Sequence, residues 1–80
     1  MRLDKYLKVS RLIKRRTVAN EACEAGRVLI NDKPAKASAN VKAGDSITSQ
    51  FGNKEVKVEV LNVQETVRKE EAKELFRYLT

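Results

Sequence analysis

The chain has 80 residues, 41% of them hydrophobic, with 17 Lys and Arg against 11 Asp and Glu, a formal net charge of +6. A chain of this size makes one small domain that buries roughly 60% of the surface its unfolded form exposes, so its core is thin and a catalytic cleft is hard to fit. It is too apolar to be disordered and has no apolar run long enough to span a membrane, and without histidine it lacks the usual general base and the usual zinc or haem ligand.

The charge is unevenly spread. Residues 1–16 hold Arg2, Lys5, Lys8, Arg11, Lys14, Arg15 and Arg16 with Asp4 as the one acid, so this stretch carries the whole positive excess and the remainder is neutral. Solubility requires no such asymmetry, whereas a polyanionic partner does.

Within that stretch, Leu3, Tyr6 and Leu7 share a helical face at i, i+3, i+4, but Leu12 falls on the opposite side at about 100° per residue. One straight helix is therefore rejected. The spacing predicts a short helix over Leu3 to Val9, broken near Ser10 or Arg11 so that Leu12 and Ile13 turn back onto the same core, with Asp4 suited to the positive end of the dipole. A second helix is predicted over about Val18 to Ala25, with Thr17 as N-cap, an apolar stripe of Val18, Ala19, Ala22, Cys23 and Ala25, and Gly26 as terminator. Cys23 has no second cysteine to pair with and is expected to be a small buried apolar side chain. Lys14, Arg15 and Arg16 precede this helix, where its dipole disfavours cations by about 0.3–1 kcal/mol each.

Beyond Gly26 the spacing becomes that of strands. Val28-Leu29-Ile30 is apolar and largely β-branched, Asn31-Asp32 is a turn pair tolerant of positive φ, and Pro34 fits a turn or an edge strand. After an irregular stretch from Ala37 to Val41 and a turn at Lys42-Ala43-Gly44-Asp45, Ile47, Ser49 and Phe51 alternate with Thr48 and Gln50. Gly52-Asn53 then closes a hairpin onto Lys54 to Val63, where Val56, Val58 and Val60 alternate with Lys57 and Glu59. Leu61 directly after Val60 implies a bulge or a change of face. Ala72, Leu75, Phe76 and Leu79 at i, i+3, i+4, i+7 predict a C-terminal helix over about Val67 to Leu79. The fold class is α+β: two N-terminal helices on a small, mostly antiparallel sheet, with a C-terminal helix.

Phosphate binding is the chemistry that the opening stretch supports. A guanidinium presents a bidentate fork to phosphate oxygens and lysine a mobile point charge. Two helix N-termini close by are expected to add free N–H groups, so that a bound phosphate would relieve the dipole penalty on Arg15 and Arg16. The competing explanation is a solvated basic face. Aromatics are too few for a single-strand stacking platform, which leaves folded RNA recognised by shape and backbone. Asp4, Asp32 and Asp45 sit in no acid/base constellation, so no enzyme, metal or cofactor is expected.

Arg2-Leu3-Asp4-Lys5-Tyr6-Leu7, Arg11-Leu12-Ile13-Lys14-Arg15-Arg16-Thr17, Gly26-Arg27-Val28-Leu29-Ile30-Asn31 and Val41-Lys42-Ala43-Gly44-Asp45 together resemble the S4 RNA-binding domain family over about residues 1–50. The resemblance implies two helices on a small antiparallel sheet with an RNA surface on the helical pair. It further implies RNA contacts at Arg2, Lys5, Arg15 and Arg16, then at Lys8, Arg11, Lys14 and Lys36, with Asp4 orienting Arg2 or Arg16 or merely suiting the dipole. Many relatives have Asn-Gly where this chain has Asn31-Asp32.

The chain as a whole looks most like stand-alone family members of ribosome-associated quality control. This implies a cytoplasmic factor, monomeric off the ribosome, that binds large-subunit rRNA and peptidyl-tRNA on dissociated large subunits. It would support alanine tailing of stalled nascent chains by a separate tRNA-recruiting factor. A ribosome-assembly or translation factor of the same fold, binding another rRNA site, is the alternative. A basic membrane-surface or protein-interaction module is the different class, disfavoured because Leu3, Tyr6 and Leu7 are needed inside.

Overall fold

A computed structural model of the chain describes residues 1–51, 53–64 and 69–79. Helices α1 (Leu3–Val9) and α2 (Arg16–Glu24) are followed by strands β1 (Val28–Ile30), β2 (Lys33–Pro34), β3 (Ser46–Phe51) and β4 (Lys54–Val60), a 3-10 helix over Lys69–Glu74 and strand β5 (Phe76–Tyr78). The strands make one antiparallel sheet in the order β2-β1-β3-β4-β5. No helix among the described residues is long and apolar enough to cross a membrane.

Leu3, Tyr6 and Leu7 of α1 are fully buried in one cluster with Ile13, Ala19, Cys23, Val28, Ile47, Val58, Val60 and Phe76. The phase slip at Leu12 is resolved as its spacing requires. Ser10 ends α1, Arg11 takes φ 65, and the Ile13 N–H returns to the Leu7 carbonyl at 3.0 Å, which places Ile13 in the core. Arg11 carries the cost of a left-handed non-glycine residue so that two apolar side chains can reach the interior.

The second helix begins earlier than Thr17 suggests. Arg15 is the N-cap, in extended conformation and without a side-chain capping bond, and Thr17 lies inside the first turn. A side-chain cap contributes about 1 kcal/mol, and starting the helix early instead puts Arg16 on it, within reach of Asp4 on α1. Ala19 and Cys23 are buried, while Val18 and Ala25 are exposed, so the apolar stripe is narrower than its spacing implies. Gly26, at φ 76, ends the helix as expected.

Asn31 and Asp32 both have positive φ, 52 and 67, between the paired residues Ile30 and Lys33, the geometry of a tight two-residue hairpin. Pro34 lies on the edge strand. The loop after β2 then runs back along the chain start: the Leu3 and Asp4 N–H groups donate to the Ala39 and Ala37 carbonyls at 2.8 and 3.2 Å, and Val41 N–H to Met1 at 2.8 Å. Asn31 also ties this hairpin to the next turn, donating from Nδ2 to Asp45 Oδ1 at 3.2 Å and accepting from the Ser46 N–H at 3.0 Å. The second hairpin pairs Phe51 with Lys54 as expected, with Gly52 itself outside the described residues. At the centre of β3, Ile47, Thr48 and Ser49 are all buried, so the sheet is less cleanly two-faced there than alternation predicts.

The predicted C-terminal helix is corrected. Val67 and Arg68 lie outside the described residues; Lys69–Glu74 is a 3-10 helix, and Phe76–Tyr78 is a strand paired with β4, Val60 opposite Phe76 and Val58 opposite Tyr78. Helical spacing of four apolar side chains lost to a non-local demand. A helix would have left the outer edge of β4 with unpaired N–H and C=O groups, and a strand pairs them. Ala72, Leu75 and Phe76 are buried in this arrangement too, whereas Leu79 is exposed. The irregularity expected at Leu61 falls where β4 ends: the Leu61 and Asn62 N–H groups both donate to the Leu75 carbonyl, at 2.8 and 3.2 Å.

Candidate nucleic-acid interface

Asp4 is the centre of the basic face. It lies in the first turn of α1, is only 3% exposed, and is surrounded by donors. Its Oδ1 accepts from the Lys5 N–H at 2.7 Å, from Arg2 Nε at 3.2 Å and from Arg16 Nη2 at 3.5 Å. Its Oδ2 accepts from Arg2 Nη2 and Asn20 Nδ2, both at 3.4 Å, and faces Arg16 Nε at 3.5 Å. Burial pushes the Asp4 carboxyl up, but hydrogen bonds from Asn20 and Arg16, the Arg16 charge and the Lys5 N–H outweigh it and hold the group below its ordinary value. It is an anion at neutral pH.

The two arginines have their inner edges on this carboxylate and about half of each side chain in solvent, 51% for Arg2 and 47% for Arg16. A guanidinium has five donors, so each retains N–H groups for a second anion while the first fixes its plane. Arg2 is held from the other side by a backbone bridge to Asn40. One buried carboxylate thus aligns two cations from different helical ends.

The structure sorts the sequence-predicted basic residues into groups. Arg2 and Arg16 meet at Asp4, and Lys5 adjoins them, half-buried on α1. Arg15 is exposed beside Arg16 at the start of α2. Lys8, Arg11 and Lys14 surround a separate open depression of about 450 Å³ with Leu12 at its base, formed where the chain reverses after α1. Lys36 is exposed in the loop whose neighbouring Ala37 carbonyl caps α1. A further open depression, about 370 Å³, lies beside the arginine pair and is lined by Asp4, Arg16, Thr17, Asn20 and Glu21.

One sequence expectation changes. The start of α1 is no anion site, because its Leu3 and Asp4 N–H groups are taken by loop carbonyls and its Lys5 N–H by the Asp4 carboxylate. Sequence reasoning also missed Asn20, which bonds the buried carboxylate from α2. The available signal was its position four residues after Arg16, on the same helical face.

The S4 domain model matches residues 1–47, which comprise α1, α2, both depressions and the first hairpin. The RQC P-site tRNA stabilizing factor of Halalkalibacterium halodurans is 62% identical over 76 residues, 95% of this chain and 86% of that protein. Its namesake in Bacillus subtilis is 54% identical over 79 residues, 99% and 92%. Among solved structures, the trimeric structure of Vibrio cholerae heat shock protein 15 matches with a TM-score of 0.90 and 34% identity, covering 98% of this chain and 80% of that one.

Proposed function

Because the chain belongs to the S4 domain family, we propose that it is a non-catalytic RNA-binding factor that stabilises tRNA on the ribosome during quality control, as the names of its relatives in Halalkalibacterium halodurans and Bacillus subtilis describe for those proteins. Its mechanism is positioning, with no covalent step and no cofactor. It acts in the cytoplasm on dissociated large subunits that still carry peptidyl-tRNA. There it binds rRNA and tRNA backbone and supports alanine tailing of the stalled chain by a separate tRNA-recruiting factor.

The observation that carries this reading is the Arg2–Asp4–Arg16 arrangement. A solvated basic face has no use for a buried carboxylate that fixes two half-exposed guanidiniums. A phosphate ligand does, because pre-oriented forks lose less side-chain entropy on binding. Arg2 and Arg16 grip phosphates directly, with Lys5 and Arg15 beside them. Lys8, Arg11, Lys14 and Lys36 extend the contact along the backbone, and Asp4 orients the two arginines.

Sedimentation with separated ribosomal subunits tests the assignment. The wild type is expected to travel with free large subunits, more so when they retain peptidyl-tRNA, and Arg16→Ala is expected to bind at least tenfold less tightly. Preference for small subunits, or equal binding by the variant, would overturn the reading in favour of another rRNA target.

A further inference from the structure

The depression beside the arginine pair has a chemical character that phosphate binding does not use. Arg16 and Asn20, and likewise Thr17 and Glu21, are four residues apart on α2, so they form two adjacent rows that line one hollow. Asp4, at its floor, is saturated by donors from Arg2, Lys5, Arg16 and Asn20 and offers no further acceptor. Glu21, in contrast, is exposed. An ionised carboxylate only accepts hydrogen bonds, and beside a phosphate site it opposes binding unless the ligand brings a donor to it.

An RNA strand brings such a donor. Its ribose 2′-hydroxyl lies next to the backbone phosphate, donates as well as accepts, and is displayed in the shallow minor groove of an A-form helix. We propose that this depression reads the ribose: Arg16 holds a backbone phosphate while the Glu21 carboxylate, with the Thr17 hydroxyl beside it, accepts a hydrogen bond from an adjoining 2′-hydroxyl. The acid that weakens general polyanion binding is the group that selects RNA over other polyanions. This inference rests on the RNA-binding function proposed above and specifies the ligand group recognised.

The test compares a short RNA hairpin with the same hairpin carrying 2′-fluoro groups throughout, which keeps the A-form and the phosphates but removes the donor, at about 50 mM salt. The wild type is expected to bind the unmodified hairpin about tenfold more tightly, the scale of one charge-assisted hydrogen bond. Glu21→Ala, an exposed surface change, is expected to abolish that preference, and Arg16→Ala to weaken both hairpins alike while retaining a preference. Equal wild-type affinity for the two hairpins, or a Glu21→Ala variant that keeps the preference or binds both more tightly in parallel, overturns ribose reading and leaves RNA binding intact. Binding of neither hairpin overturns both.

Discussion

The Tyr6 hydroxyl donates a 2.6 Å hydrogen bond to the Leu75 carbonyl, joining the first helix to a segment 69 residues further along the chain. That carbonyl also accepts from the Leu61 and Asn62 N–H groups, so removing the hydroxyl does not orphan it. Tyr6→Phe is therefore expected to cost about 1 kcal/mol, the net worth of one hydrogen bond without a desolvation penalty. Urea unfolding with an unchanged slope checks this. Burial pushes the Tyr6 phenol well above its ordinary value of 10.0. The stability that depends on the protonated phenol is complete below about pH 10 and lost as pH rises further, a loss that Tyr6→Phe removes.

Asp4→Asn separates orientation from simple charge. The substitution raises the net charge, so charge alone predicts tighter RNA binding, whereas loss of the fixed arginine planes predicts weaker binding. We expect weaker binding, with stability reduced by about 1–3 kcal/mol at neutral pH. The carboxyl is held below its ordinary 3.8, so its contribution is complete above about pH 5 and disappears as pH falls through the depressed folded value. The wild type is expected to show that acid loss and Asp4→Asn to lack it. RNA affinity that is unchanged or improved in the variant rules out orientation by the charge.

Counterion release gives a slope. With about five phosphate contacts, affinity is expected to fall by two orders of magnitude or more between about 50 and 200 mM salt. Arg16→Ala should reduce the slope of log affinity against log salt by about 1. A filter-binding or fluorescence titration at several salt concentrations reads both, and a flat slope is incompatible with backbone recognition.

The tight hairpin at Asn31-Asp32 predicts opposite effects at its two positions. Both residues have positive φ, but only Asn31 uses its side chain to hold Asp45 and Ser46. Asp32 makes a 3.4 Å pair with Lys57 and is largely exposed, a contact worth little in water. Asp32→Gly is expected to raise stability by up to about 1 kcal/mol by relieving the left-handed backbone, and Asn31→Gly to lower it. Thermal unfolding of both variants decides.

Cys23 is expected to resist modification. It is buried, and burial, with the charges of Asp4 and Glu24, pushes its thiol up to about 11. The thiolate is the reactive form, so labelling of the native protein near neutral pH should proceed only as fast as the fold opens. Rapid labelling would place the residue outside the core.

What was legible in the sequence were the features set by neighbours. The break after Val9 followed from the phase of Leu12, the tight hairpin from two residues that tolerate positive φ, and the basic face from the crowding of residues 1–16. Features set by distant partners were not legible. Thr17 is a better cap than Arg15 by local preference, but the pull of Asp4 on Arg16 acts across 12 residues. The spacing of Ala72, Leu75, Phe76 and Leu79 fits a helix, yet the open edge of β4 took Phe76–Tyr78 as a strand. Asn20 had only the faint signal of its spacing from Arg16, since its partner carboxylate lies 16 residues away.

The bond from Tyr6 to Leu75 also governs timing. Contacts between distant parts of a chain form late in folding, after the loop between them has closed. The link from α1 to Leu75 is therefore a late addition to a helix that the Ala37 and Ala39 carbonyls and its own apolar face already hold. The helix that carries Asp4 is thus secured in part by a segment 69 residues away, so a change near Leu75 is felt at the basic face.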